Sequence, residues 1–195
     1  MCLAITLTIV YSAVFFLWID AKEVDESMFC AYSMIFCLLS FIYQQNVKGM
    51  FYLTRACIPL LEASAKEGDP SRIINIGSIA GFVSQEAPTH AYDVSKAAVH
   101  SLTRKLAADL APKRITVNCL APGYVPSRMS AGLKSWGATE EAVAKSIPLG
   151  RMGNDEDMAG ACLYFASRAG SWCTGVILNV DGGAIGAMQV PLASL

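Results

Sequence analysis

The sequence has little net charge, few histidines and no paired-cysteine motif, and each shortage argues against a class of function. Fifteen Lys and Arg residues against sixteen Asp and Glu residues give a formal net charge of −1, which argues against a nucleic-acid partner. His90 and His100 have no second histidine at ligand spacing, so no metal site is expected. Seven cysteines without Cys-x-x-Cys indicate buried thiols in a reducing compartment. The lack of an Asn-x-Ser/Thr site agrees with a cytoplasmic protein.

Charge and glycine are both missing from most of the first 45 residues. Residues 1–19 and 27–47 carry no charge, an acidic stretch at 20–26 separates them, and the first glycine is Gly49. Two uncharged runs of about 20 residues meet the length criterion for membrane helices. This composition divides the chain into an apolar segment, residues 1–45, and a domain of ordinary composition, residues 46–195. Residues 1–43 are therefore a candidate membrane anchor.

The remaining residues predict an α/β domain with a parallel sheet. Apolar residues recur at helical spacing in some segments, and short runs rich in Ile or Val alternate with them. Strands that alternate with helices pair in parallel. Gly68-Asp69-Pro70 ends the first helix, and Asn154 is a good N-cap for the last one. The predicted helices are 47–66, 91–111 and 155–168, and the predicted strands are 72–77, 114–119 and 175–180.

Tyr92 and Lys96 form the most informative pair in the domain. They lie four residues apart, and a helix places such side chains on one face. A nearby ammonium favours the phenolate, so Lys96 would lower the pKa of Tyr92 towards neutral pH and make it a general acid and base. Ser78 and Pro122-Gly123 follow two neighbouring predicted strands. The carboxyl edge of the sheet is where this architecture places its chemistry.

Six motifs in order then show a resemblance to the short-chain dehydrogenase/reductase family. It covers about three-quarters of the chain, from Asn46 to the end. The branch with similar Ser-to-Tyr spacing is that of 3-oxoacyl reductases of the rhamnolipid-synthesis type. The motifs are Asn46-Val-Lys-Gly, Arg72-Ile-Ile-Asn-Ile-Gly-Ser-Ile-Ala-Gly81, Tyr92-x-x-x-Lys96, Ile115-Thr-Val-Asn-Cys-Leu-Ala-Pro-Gly123, Pro148-Leu-Gly-Arg-Met-Gly153 and Gly175-Val-Ile-Leu-Asn-Val-Asp-Gly-Gly183.

The resemblance implies a catalytic set of Ser78, Tyr92, Lys96 and Asn46. Tyr92 would transfer a proton to a carbonyl oxygen while NAD(P)H supplies hydride, and Lys96 would also bind the nicotinamide ribose. Ser78 would hold the substrate oxygen, although a hydroxyl at this position can equally close a turn after a strand. Asn46 would support a water relay towards Lys96, with a polar helix start as the alternative.

The resemblance also implies a nicotinamide-binding segment between Asn118 and Ser127. Pro122, Gly123, Val125 and Ser127 would line it, together with Tyr92 and Lys96. The cofactor would be NADP, with NAD not excluded. Pro122-Gly123 read in isolation is a turn. Asn75, Asn118 and Asp181-Gly182-Gly183 are expected to have structural roles.

One departure from the family puts cofactor binding in doubt. The family's Gly-x-x-x-Gly-x-Gly turn, which cradles the pyrophosphate at a helix N-terminus, is absent from the sequence. The expected fold is therefore an incomplete Rossmann-like sheet that lacks its first βαβ units and is preceded by apolar N-terminal helices. The strand at 72–77 would keep an open edge, so the chain would be poorly stable or would associate through that edge.

Three interpretations of residues 1–45 remain open, and two interpretations of the function of the chain remain open. The segment is an N-terminus from a wrongly assembled gene model or an alternative transcript, a membrane anchor, or a buried helix that covers the truncated sheet. The function is NAD(P)H-dependent reduction of a small-molecule carbonyl, with a 3-oxoacyl group as one candidate, or that of an inactive fragment that is unable to bind dinucleotide, either with or without a membrane tether. Homo-oligomerisation through the helices 47–66 and 91–111 is implied by the resemblance alone.

Overall fold

A computed structural model describes residues 40–84, 89–127, 137 and 139–187. Apart from Ser40, these residues belong to one compact unit, Phe41–Leu195. The predicted apolar N-terminal helices lie outside the described residues, and the predicted boundary at residue 45 stays a prediction. Within the described part of the chain, no helix combines the length and apolar character that crossing a membrane requires.

In the described part of the chain, three parallel strands form the sheet, and strands that are neighbours in the sheet are also consecutive in the sequence. Ser71 pairs with Ile115 between the first two strands, and Cys119 pairs with Ile177 between the second and third. The predicted parallel sheet is confirmed. The strands are β1 (Ser71–Ile76), β2 (Ile115–Pro122) and β3 (Ile177–Val180).

Helices connect the strands and cover the sheet. A π-helical segment, Gln44–Gly49, continues directly into α1. The helix α1 ends two residues earlier than predicted because Ala65 is extended. A short helix, α3, lies in a region where none was predicted. The helices are α1 (Met50–Ser64), α2 (His90–Leu110), α3 (Glu140–Ser146) and α4 (Asp155–Ala166). Turns of 3₁₀-helix span Ile79–Gly81, Ala111–Lys113 and Arg168–Gly170.

The start of α4 shows how the sequence sets an element boundary. The Asn154 side chain accepts a hydrogen bond from the Asp157 backbone N–H, and the Asp157 carboxylate accepts one from the Asn154 backbone N–H. This reciprocal cap satisfies two N–H groups that the helix itself leaves without partners. The predicted N-cap at Asn154 is confirmed.

The strand β2 lies at the centre of the core. All its residues except Pro122 are buried, because β1 and β3 flank it and helices pack on the sheet. On one face, Ile115 and Val117 pack with residues of α2, and side chains of α1 pack against this cluster. The helix α4 also lies against β1 and β2. This packing holds the carboxyl ends of β1 and β2, where the candidate site lies, in fixed positions.

The outer edge of β1 has no strand partner among the described residues. β1 pairs with β2 alone, and the sheet order places it at one end. Because residues 1–39 lie outside the described part of the chain, the open edge expected from the sequence stays a prediction.

Candidate active site

One turn and one helix bring three of the predicted catalytic residues together. Ser78 lies two residues beyond the end of β1. Tyr92 and Lys96 lie in the first two turns of α2. A Cβ atom placed on Gly81 would lie 2.8 Å from the Lys96 carbonyl carbon, so the turn that starts at Ser78 packs directly on this part of α2. The carboxyl end of β1 and the start of α2 thus form one surface.

Ser78 is buried and caps the 3₁₀ turn Ile79–Gly81. Its Oγ accepts a hydrogen bond from the backbone N–H of Ala80 at 3.1 Å. This is the turn-closing role considered from the sequence. The bond uses an acceptor site of the hydroxyl, so the same group retains an O–H that can be donated to a substrate oxygen. The turn also restricts the position of the hydroxyl.

The Lys96 ammonium lies over the ring of Tyr92, with 5.4 Å between Nζ and the ring centroid. It donates a hydrogen bond to the backbone carbonyl of Ile76 at 3.0 Å. Burial lowers the pKa of Lys96 from its ordinary value, while the neighbouring Cys119 acts in the opposite direction. The pair is adjacent as predicted, but the ammonium is held by the last residue of β1.

Asn46 connects to this site through a residue that the sequence reasoning missed. Its Nδ2 donates to Ser95 Oγ at 2.9 Å, and Ser95 Oγ donates to the carbonyl of Tyr92 at 2.7 Å. Ser95 is almost completely buried. It fixes the π-helical segment before α1 to the turn of α2 that carries the tyrosine. Its place directly before Lys96, three residues after Tyr92, was the signal that could have identified it.

The imidazole ring of His100 packs against the turn that contains Ser78. The imidazole is buried, and its ring centroid lies 4.4 Å from that of Phe82. Cβ atoms placed on Gly77 or Gly81 would overlap it, so both glycines are needed for the chain to pass over the ring. Neither ring nitrogen has a hydrogen-bond partner among the described residues. Burial, with Arg104 and Lys96 adding to it, lowers the pKa of His100.

The predicted nicotinamide-binding segment begins at the end of β2. Gly123 donates its backbone N–H to the Val180 carbonyl at 3.0 Å and passes so close to Asp181 that a Cβ atom would lie 2.8 Å from its Cα. Val125 packs near Gly153. Ser127 is exposed at the end of the segment. Pro122 ends β2, and Gly123, Val125 and Ser127 lie in the loop after it, which packs against the turn that follows β3.

The expected structural residues have structural contacts. Asn118 donates to the Cys173 carbonyl and accepts from the Val176 N–H, which ties β2 to the segment before β3. Asn75 donates to Thr103 Oγ1 on α2. The Asp181 carboxylate accepts from the N–H groups of Gly183 and Ile185 and closes the turn after β3.

The residues present fit one half of a dinucleotide. A half-buried ammonium at Lys96 and a loop at the end of β2 suit the nicotinamide and its ribose. The sequence contains no Gly-x-x-x-Gly-x-Gly turn, so the usual backbone cradle for a pyrophosphate is missing. The described residues thus include the predicted proton-transfer residues and fit only the nicotinamide end of the cofactor.

Comparisons with known proteins agree with this geometry. Residues 39–184 match the family model described as enoyl-(acyl carrier protein) reductase. The rhamnolipids biosynthesis 3-oxoacyl-(acyl-carrier-protein) reductase of Pseudomonas aeruginosa is 42% identical over 142 residues, which are 73% of this chain and 56% of that protein. Galactitol 2-dehydrogenase (L-tagatose-forming) of Cereibacter sphaeroides is 40% identical over 139 residues, 71% of this chain and 53% of that protein.

Solved structures show the same relationship. The Pseudomonas aeruginosa RhlG/NADP active-site complex matches with a TM-score of 0.69 and 40% identity, over 75% of this chain and 59% of that one. Acetoin dehydrogenase of Enterobacter cloacae matches with a TM-score of 0.65 and 27% identity, over 78% of this chain and 57% of that one. The chain spans little more than half the length of these relatives. With its matching fold and motifs, the chain belongs to the short-chain dehydrogenase/reductase family.

Proposed function

We propose that this chain provides the proton-transfer site for NAD(P)H-dependent reduction of a carbonyl to an alcohol. The observation that carries the proposal is the half-buried Lys96 ammonium, which lies between the Tyr92 ring and the end of β1, beside the turn that holds Ser78. Enzymes place groups with matched protonation behaviour in this way when a proton must move at neutral pH.

Each side chain has a separate task in the proposed reaction. The Tyr92 hydroxyl donates its proton to the carbonyl oxygen of the substrate. Lys96 stabilises the phenolate that remains, because its positive charge lies close to the ring. Ser78 donates its O–H to the same substrate oxygen and stabilises the charge that develops there. When bound, the reduced nicotinamide supplies the hydride.

Asn46 and Ser95 act on the position of Tyr92 rather than on the substrate. The two hydrogen bonds from Asn46 to Ser95 and from Ser95 to the Tyr92 carbonyl hold the first turn of α2. Positioning of this kind matters because a reacting group displaced by about 1 Å can lose roughly a hundredfold in rate. Asn46 also lines the same groove as Lys96, which supports the proposed water relay between them.

The relatives suggest the substrate and cofactor. A 3-oxoacyl thioester is proposed as the substrate class, because the relative from Pseudomonas aeruginosa is named for it. NADP is proposed as cofactor because the RhlG structure holds it. Pro122, Gly123, Val125 and Ser127 are proposed to contact its nicotinamide end. A cytoplasmic location and homo-oligomerisation are further parts of this proposal.

A second candidate function is favoured by one observation. The sequence lacks the glycine-rich turn that cradles the pyrophosphate. A chain that binds no dinucleotide would carry the site without catalysing the reaction, and its role would be to bind a partner. Equilibrium binding of NADPH to the full chain separates the two candidates: saturable binding supports the reductase, and no binding supports the second.

Turnover tests the reductase proposal directly. NADPH consumption is followed with a 3-oxoacyl thioester for the wild type, Tyr92→Phe and Tyr52→Phe. Tyr52 is the matched control, because it is exposed on α1. Loss of the Tyr92 proton is expected to lower kcat by about 100-fold or more, while Tyr52→Phe retains the wild-type rate. Equal rates in the two variants would contradict the assignment.

A further inference from the structure

His100 is a buried polar side chain that the proposed reaction does not use. It is 2% exposed, and neither ring nitrogen has a hydrogen-bond partner in the part of the chain that the structure describes. A buried donor and a buried acceptor without partners destabilise a fold, whereas an apolar side chain of similar size avoids that cost. Such a group in a folded protein calls for an explanation, and a role at a functional site is one of the recognised explanations.

The imidazole lies against both ends of the segment that carries Ser78. Cβ atoms placed on Gly77 and Gly81 would lie 2.8 Å and 2.6 Å from ring carbons of His100. The hydroxyl of Ser78 accepts a hydrogen bond from the Ala80 N–H between these two glycines. The ring thus restricts the backbone before and after the hydroxyl, and with it the position of Ser78 Oγ.

The charged groups that face the ring are both cationic. Lys96 and Arg104, on the same helix, act with burial to lower the pKa of His100. The Sγ atom of Cys119, on β2, approaches the first of the two glycines as the ring does, and burial raises the pKa of that thiol, which stays neutral. Residues 77–82 have no titratable side chain, and no carboxylate of the described residues offsets the two cations. A protonated ring would therefore be a buried charge without a counter-ion.

We propose that His100 is a positioning residue for Ser78 and that its imidazole performs this role only while it is uncharged. A proton on the ring requires water or a counter-ion. The two glycines pack against the ring, and the Phe82 ring covers it with 4.4 Å between the centroids. Water therefore reaches the ring only when residues 77–82 move, and this motion breaks the hydrogen bond from the Ala80 N–H to Ser78 Oγ. The catalytic consequence rests on the proposed function, in which Ser78 binds the substrate oxygen.

Hydrogen exchange of the full chain with the substitution His90→Gln tests the structural part. This variant leaves His100 as the only histidine, so its imidazole signals in NMR spectra give the midpoint of protonation. One pH unit below that midpoint, the Ala80 amide is expected to have lost its protection. The Cys119 amide, which donates to the Val176 carbonyl in the sheet, is expected to stay about 100-fold more protected, because only the turn opens. An Ala80 amide that stays protected while the imidazole is protonated, or that loses protection only together with Cys119, would overturn the proposal.

Steady-state kinetics with NADPH and a 3-oxoacyl thioester test the catalytic part. In His90→Gln, kcat is expected to be lower by about tenfold at one pH unit below the midpoint than at neutral pH, and KM to change less, because Ser78 acts on the transition state. This loss is expected to be absent in His100→Gln, and an equal loss in both variants would overturn the proposal. Exchange is measured without substrate. A chain without turnover at any pH therefore contradicts the proposed function, and the exchange result then decides this inference by itself.

Discussion

The backbone at Gly77 leaves no space for a methyl group, so the substitution Gly77→Ala tests how tightly the residues next to Ser78 are packed. A Cβ atom added there would overlap His100 Nε2 and lie 2.8 Å from Cys119 Sγ. His100 is 2% exposed and Cys119 is fully buried, so neither can move aside into solvent. Overpacking of a core typically costs about 1–3 kcal/mol. The φ angle of Gly77 is not positive, so alanine regains about 0.4–1 kcal/mol by restricting the unfolded chain.

We therefore expect Gly77→Ala to lower the free energy of unfolding by about 1–2 kcal/mol. Urea denaturation at one fixed protein concentration measures it. His100→Ala removes the clashing ring, so the double variant should be less destabilised than the sum of the single variants by about 1 kcal/mol or more. Gly160→Ala is the control, since a Cβ atom there meets nothing within 4 Å. Single-variant effects that add within about 0.5 kcal/mol would refute the reasoning.

Two further predictions concern His100 and the N-cap of α4. Because the pKa of His100 is lowered in the folded state, the unfolded chain binds more protons than the folded chain below about pH 6.5. The contribution of neutral His100 to the free energy of unfolding is therefore fully present above that pH and is lost as the pH falls towards the folded-state pKa. The midpoint of urea denaturation, measured at several pH values, should fall with decreasing pH in the wild type and in His90→Gln. The decrease should be smaller in His100→Gln, and identical pH profiles for the two variants would contradict this prediction. Asn154→Ala removes the cap that accepts from Asp157 and should cost about 1 kcal/mol, whereas Ala159→Ser on the exposed middle of α4 should cost less than half of that; equal losses would argue against the cap.

The sequence predicted the sheet and the main helices because their signals are local. Apolar periodicity and the Asn154 cap depend on neighbouring residues only, and the observed boundaries lie within about three residues of the expected ones. The end of α1 and the start of α3 were missed because they depend on backbone conformations at Ala65 and on the Thr139 cap, which composition signals weakly.

The sequence predicted which residues make up the candidate site, but it did not predict all the contacts between them. The four-residue spacing correctly placed Lys96 beside Tyr92. The hydrogen bond from Lys96 to Ile76 and the support of the Ser78 turn by His100 join residues that are distant in sequence. Such contacts depend on how α2 packs on the sheet, which the local pattern does not encode. The roles of Ser78, Tyr92, Lys96 and Asn46 in catalysis stay predictions.

The most direct test of the central claim is a mass measurement of the product alcohol. The full chain is incubated with NADPH that carries deuterium at the transferred position and with a 3-oxoacyl thioester. We expect deuterium on the carbinol carbon for the wild type and for Tyr52→Phe, and a loss of about 100-fold or more for Tyr92→Phe. No deuterated product from the wild type would contradict the claim that this chain supports carbonyl reduction.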